Sequence, residues 1–474
     1  MKTVLAFLLP AVLLLGCIHL QAQNFESYSS NKGTKITFNR GGVSSFNVET
    51  RGKIELTDDD KDVKSMSPDG YLEITKTVFG SKRTIVIEPQ GNDLKRQYYE
   101  SRTPVAFEPE GRKWLSEVLP EIVRSTTIGA ESRVNRFYRQ GGSKSVLDEI
   151  GRIESDYVKA HYARMLMGLN VPSKDYAMII TAVATAIESD HYLTEFLKDG
   201  MSKFLQSKEA TEAVFAASGK MDSDHYKTEV IKEGLRSGPA TLESVKIILA
   251  AASSMDSDHY KTEVLSSLLR QSNLTDAIIA EMINATKSID SDHYRTVVLN
   301  KALEKQGLSS TSYQRVLESV KDIDSDHYKS QVLNNLVQNK MSPDAQLKFI
   351  EIMSSIGSDH YITNVANEFM KRQTLNDEVF QKLLDVMGTK GSDFYSSNFL
   401  KAALERENLT KQNMTAILQA AGNIDSDHYI TEVLTEAAPR IKQLNDNSLK
   451  DAYRAAAKKI DSDTYYGRAM KAID

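Results

Sequence analysis

Seven histidines of this chain lie in one short sequence, Ser-Asp-His-Tyr, which returns about every 34 residues. An imidazole close to a carboxylate can bind a metal ion, move protons or change its charge near neutral pH. Together the seven form a candidate sensor ladder, which consists of His191, His225, His259, His293, His327, His360 and His428.

Three interpretations of this ladder are open. A metal site would pair a histidine of one repeat with an aspartate of the next, but a closed site needs three or four converging ligands and each copy offers a dispersed pair. A pH sensor would use the titration of imidazole near neutrality. We favour the third interpretation, in which hydrogen bonds between histidine and aspartate tie adjacent repeats, and we expect no metal and no cofactor.

The rest of the phrase is more regular than its histidine. Ser-Asp-x-Tyr persists in two copies where Phe394 and Thr464 take the histidine position. We therefore predict that serine, aspartate and tyrosine form a structural corner in every repeat. The predicted corner residues are Ser189, Asp190, Tyr192, Ser223, Asp224, Tyr226, Ser257, Asp258, Tyr260, Ser291, Asp292, Tyr294, Ser325, Asp326, Tyr328, Ser358, Asp359, Tyr361, Ser426, Asp427 and Tyr429.

One copy shows how the corner would work. Thr275 is the predicted N-cap of a first helix that runs to about residue 287. If Asp290 caps the second helix, Ile289 and Tyr294 have the spacing of a hydrophobic staple; if Ser291 caps it, Asp290 lies just outside the helix. In both registers Asp292 lies at the positive end of the helix dipole, where a carboxylate contributes about 0.3 to 1 kcal/mol.

This period indicates a solenoid of α-helical hairpins, because each hairpin can bury its apolar stripe only against its neighbours. We expect about ten repeats after an N-terminal cap. The repeat class resembles HEAT-like solenoids, and the Trp, Gly and Pro positions typical of tetratricopeptide repeats are absent despite the matching period.

Residues 23–108 alternate apolar and polar side chains with a period near two, which predicts strands. We expect an antiparallel β domain of about six strands, without catalytic apparatus, at 35–38, 45–50, 53–56, 71–78, 84–88 and 94–99. Helical spacing over 114–123 and 134–138, the latter closed by Gly141-Gly142, predicts a cap over 109–142. The predicted fold class is α+β, with the β domain followed by the helical solenoid over 109–474.

Residues 1–22 are typical of an export signal, with Lys2 before an apolar stretch that is shorter than a membrane span. We favour cleavage after Ala22. Alternatively, Leu14-Leu15-Gly16-Cys17 resembles a lipobox, and Cys17 would then be a lipidated N-terminus. We expect an exported protein, periplasmic or extracellular, that is either free or anchored by lipid to the outer membrane, with no transmembrane segment in the mature chain.

The charge balance disfavours nucleic acid as a partner, because 59 basic and 64 acidic residues leave a net charge of -5 and no basic stripe. The chain also lacks the zinc helix His-Glu-x-x-His, the nucleophile elbow Gly-x-Ser-x-Gly and the phosphate loop Gly-x-x-x-x-Gly-Lys. We therefore expect no catalytic residues and a non-catalytic scaffold or sensor with a protein or peptide partner. A pH- or metal-responsive sensor and an unrecognised enzyme are the alternatives.

A resemblance covers part of residues 24–170. The segments at 114–115, 119–124, 128–134, 140–142 and 146–150, with the following Ser155-Asp156-Tyr157, resemble the exported region of bacterial antibiotic-sensing membrane metalloprotease regulators. This chain lacks the transmembrane helices and the zinc-binding helix that carry proteolysis in that family. The resemblance implies an extracytoplasmic module for sensing or docking.

Overall fold

The structure is a computed structural model, and it describes residues 25–30, 33–40, 44–238, 242–272, 274–305 and 308–474. The predicted export signal, its cleavage position and Cys17 lie outside the described residues. Within the described ranges, none of the helices has both the length and the apolar composition that a bilayer crossing requires.

The N-terminal part of the described chain is built from strands. They are β1 (Phe25–Ser30), β2 (Gly33–Arg40), β3 (Ser44–Arg51), β4 (Ile54–Leu56), β5 (Val63–Met66), β6 (Tyr71–Val78), β7 (Ser81–Gln90), β8 (Asp93–Glu100) and β9 (Thr103–Val105). Seven form one antiparallel sheet in the order β1-β2-β3-β6-β7-β8-β9, and β4 pairs with β5.

Helices make up most of the rest of the described chain. They are α1 (Arg112–Ser125), α2 (Ala130–Ile150), α3 (Asp156–Gly168), α4 (Tyr176–Ala186), α5 (Asp190–Phe204), α6 (Lys208–Gly219), α7 (Asp224–Ser237), α8 (Leu242–Ser253), α9 (Asp258–Leu269), α10 (Asp276–Ala285), α11 (Asp292–Leu303), α12 (Ser310–Lys321), α13 (Asp326–Leu336), α14 (Pro343–Met353), α15 (Asp359–Arg372), α16 (Asp377–Thr389), α17 (Asp393–Leu404), α18 (Lys411–Ala421), α19 (Asp427–Leu444), α20 (Asn447–Ala457) and α21 (Asp463–Ile473). The predicted α+β class, an antiparallel sheet followed by tandem helices, is confirmed.

The chain divides into two compact units, residues 1–196 and 197–474, and the division falls within α5. In the first unit, the apolar face of the sheet is covered by α1. Leu115, Leu119 and Ile122 of α1 belong to the same core as Ile74 and Ile85 of the sheet. Apolar and polar side chains therefore alternate along these strands because one face of the sheet packs against a helix and the other faces water.

Six of the nine described strands were predicted from the sequence, and three were missed. The missed strand β1 has the polar sequence FESYSS, β5 has only four residues, and β9 is three exposed residues that include a proline. Such segments have little apolar alternation, so the pattern that predicts a half-buried strand is weak in them.

In the second unit, each repeat is a hairpin of a first and a second helix. First helices such as α6 and α8 pack side by side, and so do second helices such as α7 and α9. The apolar side chains between them form one continuous core from Phe215 to Ile473. Each hairpin therefore buries its apolar stripe against its neighbours, as the period predicted.

The glycine pair that was predicted to close a helix lies at a break within the range of α2. Gly141 and Gly142 have non-helical backbone angles, with φ of -158° and 64°, and a second helical segment follows them to Ile150. The predicted break is therefore present in the backbone. The sequence after the pair, Ser143 to Ile150, carries enough apolar residues to pack as a further two turns.

Candidate functional site

Every second helix from α3 to α21 begins at the aspartate of the repeated phrase. In the repeat that we used for the sequence argument, Ser291 is the N-cap of α11 with extended backbone angles, and its hydroxyl makes no capping hydrogen bond. The register with Asp290 as N-cap, and with it the hydrophobic staple, is wrong. Thr275 is the N-cap of α10 as predicted, since its side chain accepts a hydrogen bond from the backbone N–H of Ile278.

The aspartate bonds the next repeat instead of its own corner. Asp292 Oδ2 accepts hydrogen bonds from the backbone N–H groups of Asp324 at 3.1 Å and Ser325 at 2.8 Å. We call this contact the corner clasp. The same aspartate-to-serine contact, at 2.7 to 2.9 Å, joins the pairs Asp156 and Ser189, Asp224 and Ser257, Asp258 and Ser291, Asp326 and Ser358, Asp359 and Ser392, Asp393 and Ser426, and Asp427 and Ser462.

The corner clasp explains why aspartate stands at this position. The N–H groups at a helix start have no partner within the helix, and a carboxylate is the strongest side-chain acceptor for them. Each serine N–H that is clasped belongs to the N-cap of the next second helix, so one repeat completes the corner of the following one. The aspartate of the corner therefore acts between repeats.

A buried cation accompanies the clasp in several repeats. Lys261 is 7% exposed, and its Nζ donates to the carbonyl of Ser288 at 2.6 Å, at the end of the next first helix. Lys159 donates to the carbonyl of Ala186 at 2.7 Å, and Arg295 donates to that of Asp322. The aspartate therefore binds N–H groups at the start of the next second helix, and the cation binds carbonyls at the end of the first helix before it. A helix start favours negative charge and a helix end favours positive charge, so both contacts are stabilising.

The histidines contact tyrosine rings. The ring centre of His293 lies 5.1 Å from that of Tyr294 in its own repeat and 5.6 Å from that of Tyr328 in the next. The same pair of contacts occurs at His225, His259, His327, His360 and His428. The contacts between these repeats differ from the predicted histidine–aspartate hydrogen bonds. The aspartates of the corner clasp bind backbone N–H groups, and these imidazoles pack against tyrosine rings.

Two copies without the histidine fit this arrangement, whereas a third has Thr464 and no ring at this position. Phe394 takes the histidine position and keeps both ring contacts, at 5.1 Å to Tyr395 and 6.0 Å to Tyr429. The first copy has Tyr157 at that position because α3 starts at Asp156, and this ring lies 5.9 Å from that of Tyr192. Nine of the ten copies therefore carry an aromatic ring at this position, and seven of the nine rings are imidazoles.

The outer edge of each imidazole faces solvent and a side chain one turn along the same helix. His191, His259 and His428 lie 3.8, 4.0 and 3.4 Å from Glu195, Glu263 and Glu432. These three histidine side chains are about half exposed, at 54%, 53% and 46%. Within the described ranges, no group of three or more His, Cys, Asp or Glu side chains is placed to hold a metal ion.

Ion pairs join some of the second helices on the same face. Lys198 lies 3.0 Å from Glu229, Lys232 lies 3.0 Å from Glu263, and Lys401 lies 2.8 Å from Glu432. The hydrogen bond from Lys401 lowers the pKa of Glu432 below its ordinary value, as the bond from Lys198 does for Glu229. At the matching glutamate position, the middle repeats have Val297, Gln331, Asn364 and Asn398.

A buried ionic network in the first unit was missed by the sequence analysis. Arg133 of α2 is fully buried and bonds Asp60 at 2.9 Å, Glu149 at 2.6 Å and the hydroxyl of Tyr162. Burial alone would lower the pKa of Arg133, but Tyr162, Asp60 and Glu149 raise it above the ordinary value. The network fastens the loop after β4 to α2 and α3; its one sequence signal was a charged residue on an apolar helix face.

A cleft of about 670 Å³ lies in the same unit, between the β4–β5 hairpin and the start of α2. Its lining mixes apolar side chains such as Ile54 and Met66 with polar ones such as Asn135. Lys53 and Glu131 on its rim lie 3.8 Å apart and are largely exposed.

No family model matches this chain, and no curated protein matches it. One similar solved chain belongs to work described as computational design of self-assembling cyclic protein homooligomers. It is 13% identical, and the alignment covers 67% of this chain and 98% of that chain with a TM-score of 0.12. A likeness at that score carries no argument about fold or function.

Proposed function

We propose that this protein is an exported, non-catalytic protein-binding scaffold or sensor of the bacterial cell envelope. The observation that carries the proposal is that the repeated polar residues are engaged within the array. Asp292 is typical, because its carboxylate is bound to two backbone N–H groups of the next corner. A carboxylate that accepts hydrogen bonds from the next repeat at most of the corners is suited to holding repeats together.

The exposed surface supports binding by extended contact. Second helices present side chains such as Gln331 and Asn364 to solvent, and first helices present others such as Glu318 and Lys348. Repeat arrays bind partners on faces of this kind, over several repeats at once. The cleft beside the β4–β5 hairpin offers a second surface in the first unit.

Photo-crosslinking tests this proposal. A photoreactive amino acid is placed at Gln331 or Asn364 on second helices, and at Glu318 or Lys348 on first helices, in the full-length tagged chain expressed in a bacterium. We expect the chain in the envelope fraction, with an adduct of one defined mass from one of the two faces only. Cytoplasmic retention of the chain, or equal diffuse labelling from both faces, would contradict the proposal.

A pH-responsive sensor is the second candidate, because several imidazoles have a carboxylate one turn away. Protonated His428 would face Glu432, which stays ionised because Lys401 of the preceding second helix lowers its pKa. The following second helix adds Tyr465 next to the ring and Arg468 near the carboxylate. A pH-responsive sensor would act through this contact.

His161 makes the stability of the fold depend on pH by itself, and the test must separate this effect from that of His428. Burial, assisted by the charge of Arg164, lowers the pKa of His161 below its ordinary value. The unfolded chain then binds a proton that the folded chain does not, so stability is lost as pH falls through the ordinary titration range of imidazole, near about 6.5.

Thermal unfolding at about pH 5.5 and 7.5 compares the wild type with His428→Phe and His161→Phe. A sensor predicts that His428→Phe changes the difference in melting temperature between the two pH values, whereas His161→Phe removes the loss of stability that His161 causes at the lower pH. A pH difference that His428→Phe leaves unchanged would exclude a contribution of this imidazole. Calorimetry with Zn²⁺ on the same proteins tests the metal-responsive version, which predicts heat that His428→Phe reduces.

A further inference from the structure

A shallow depression of about 240 Å³ lies on the face of the second helices α7, α9 and α11. Its charged lining consists of Lys232, Glu263, Arg270 and Lys301, and two ladder imidazoles complete the rim. Three fixed cations thus face one carboxylate in a chain whose net charge is -5.

Among the described residues, two of these cations have no carboxylate partner. Lys301 Nζ donates to the hydroxyl of Ser266 at 2.9 Å, and Arg270 Nη2 donates to the hydroxyl of Ser267 at 2.7 Å. Lys232, by contrast, is neutralised by Glu263 at 3.0 Å. Each of the first two keeps further N–H donors, since an ammonium has three and a guanidinium has five.

The excess of positive charge is local to this repeat. The position of Lys301, ten residues into its helix, is occupied by Glu233 in α7, Glu368 in α15 and Glu436 in α19. The position that carries Glu263 in α9 carries Val297 in α11, so α11 has no carboxylate there. One difference adds a cation and the other removes a carboxylate.

The remaining wall residues suit a small polar ligand. His259 and His293 lie on successive rungs, and Tyr294 packs against both rings, at 5.9 and 5.1 Å between centres. Nε2 of His259 also lies 4.0 Å from Glu263, whereas His293 has Val297 one turn along its helix. Val297 adds an apolar contact at the side of the depression.

We propose that this depression binds an oxyanion, either the phosphate or the carboxylate group of a small ligand. Lys301 and Arg270 supply charge-assisted donors, which are the strong hydrogen-bonding partners of oxyanions. His259 and His293 add imidazole rings to the lining. The inference does not depend on the scaffold function, because it concerns a small ligand on one repeat.

Binding is tested on the full chain with inorganic phosphate and with citrate as probes, by calorimetry and by thermal unfolding, against sodium chloride at equal ionic strength. A ligand that binds only the folded chain raises the free energy of unfolding by RT ln(1 + [L]/Kd). We expect saturable binding of at least one probe, and a loss of about tenfold or more in affinity in Lys301→Gln and in Arg270→Gln.

Lys305→Gln is the matched control, since Lys305 lies one turn further along, donates to the carbonyl of Gln271 at 3.2 Å and does not line the depression. Its affinity should stay within about twofold of wild type. Binding of phosphate alone assigns a phosphoryl ligand, and binding of citrate alone assigns a carboxylate. No saturable binding of either probe, or equal loss in Lys305→Gln and Lys301→Gln, would overturn the proposal.

Discussion

At the scale of single residues, the histidine of the repeated phrase acts mainly through its ring. The sequence showed that Phe394 can replace it, and the structure gives the reason: the phenyl ring keeps contacts with Tyr395 and Tyr429. The corner residues were predictable because they are local, whereas the aspartate's partner lies about 33 residues away and no local spacing indicates it.

Substitutions at His327 can separate the contribution of the aromatic ring from that of the imidazole nitrogens. It contacts Tyr328 and Tyr361, with ring centres 5.1 and 5.6 Å apart. We expect His327→Ala to lower the free energy of unfolding by about 1 to 2 kcal/mol, since each aromatic pair contributes about 0.5 to 1.5 kcal/mol. His327→Phe should remain within about 0.5 kcal/mol of wild type.

Denaturant unfolding of the wild type and the two variants measures this difference. His327 also contacts the amide of Gln331 at 3.0 Å, a bond that both variants remove equally. Equal destabilisation by Ala and Phe would therefore show that the imidazole nitrogens, and not the ring, stabilise the ladder.

At the scale of elements, the second helices are tied together at both ends. The corner clasp joins their starts, and side chains near their ends donate to carbonyls at the end of the preceding second helix. Examples are Gln271 to Leu235 at 2.8 Å, Arg406 to Met370 at 2.7 Å and Arg440 to Leu404 at 3.1 Å. The carbonyls at a helix end lack partners within the helix, so each repeat completes the helix before it.

Gln373 is the best position at which to test these ties. Its amide donates to the carbonyls of Val337 and Asn339, both at 2.8 Å, and accepts from the N–H of Met341 at 3.1 Å. Gln373→Leu leaves buried backbone groups without partners, and we expect a loss of about 2 to 3 kcal/mol in the free energy of unfolding.

Gln338→Leu is the matched control, because Gln338 is exposed and bonds only the carbonyl of Asn334 in its own helix. It should change the free energy of unfolding by less than about 0.5 kcal/mol. Denaturant titrations of both variants measure this quantity. Similar losses in the free energy of unfolding for the two variants would contradict a stabilising role of the Gln373 hydrogen bonds at the helix end.

At the scale of the whole molecule, the order of a sheet followed by a helical array could be predicted from the amino-acid sequence, because each part has a strong period. The period is near two residues in the sheet and about 34 residues in the array. It did not predict contacts that join distant segments. Arg133 and Asp60 are 73 residues apart, and the clasp joins residues in neighbouring repeats. Such partners depend on how elements pack, which local periodicity does not encode.

The central claim is that the repeated aspartate holds one repeat to the next. Hydrogen exchange of the full chain, followed by mass spectrometry, tests it with Asp292→Ala and the control Asp290→Ala. Asp290 lies in the same corner and is exposed, so its replacement removes the same charge without removing the clasp.

The account predicts that Asp292→Ala speeds exchange at the amides of Asp324 and Ser325 by about 10- to 100-fold, from the loss of about 1.5 to 3 kcal/mol of charge-assisted bonding. Asp290→Ala should leave these amides at the wild-type rate. Unchanged exchange in Asp292→Ala, or the same acceleration in both variants, would contradict the account.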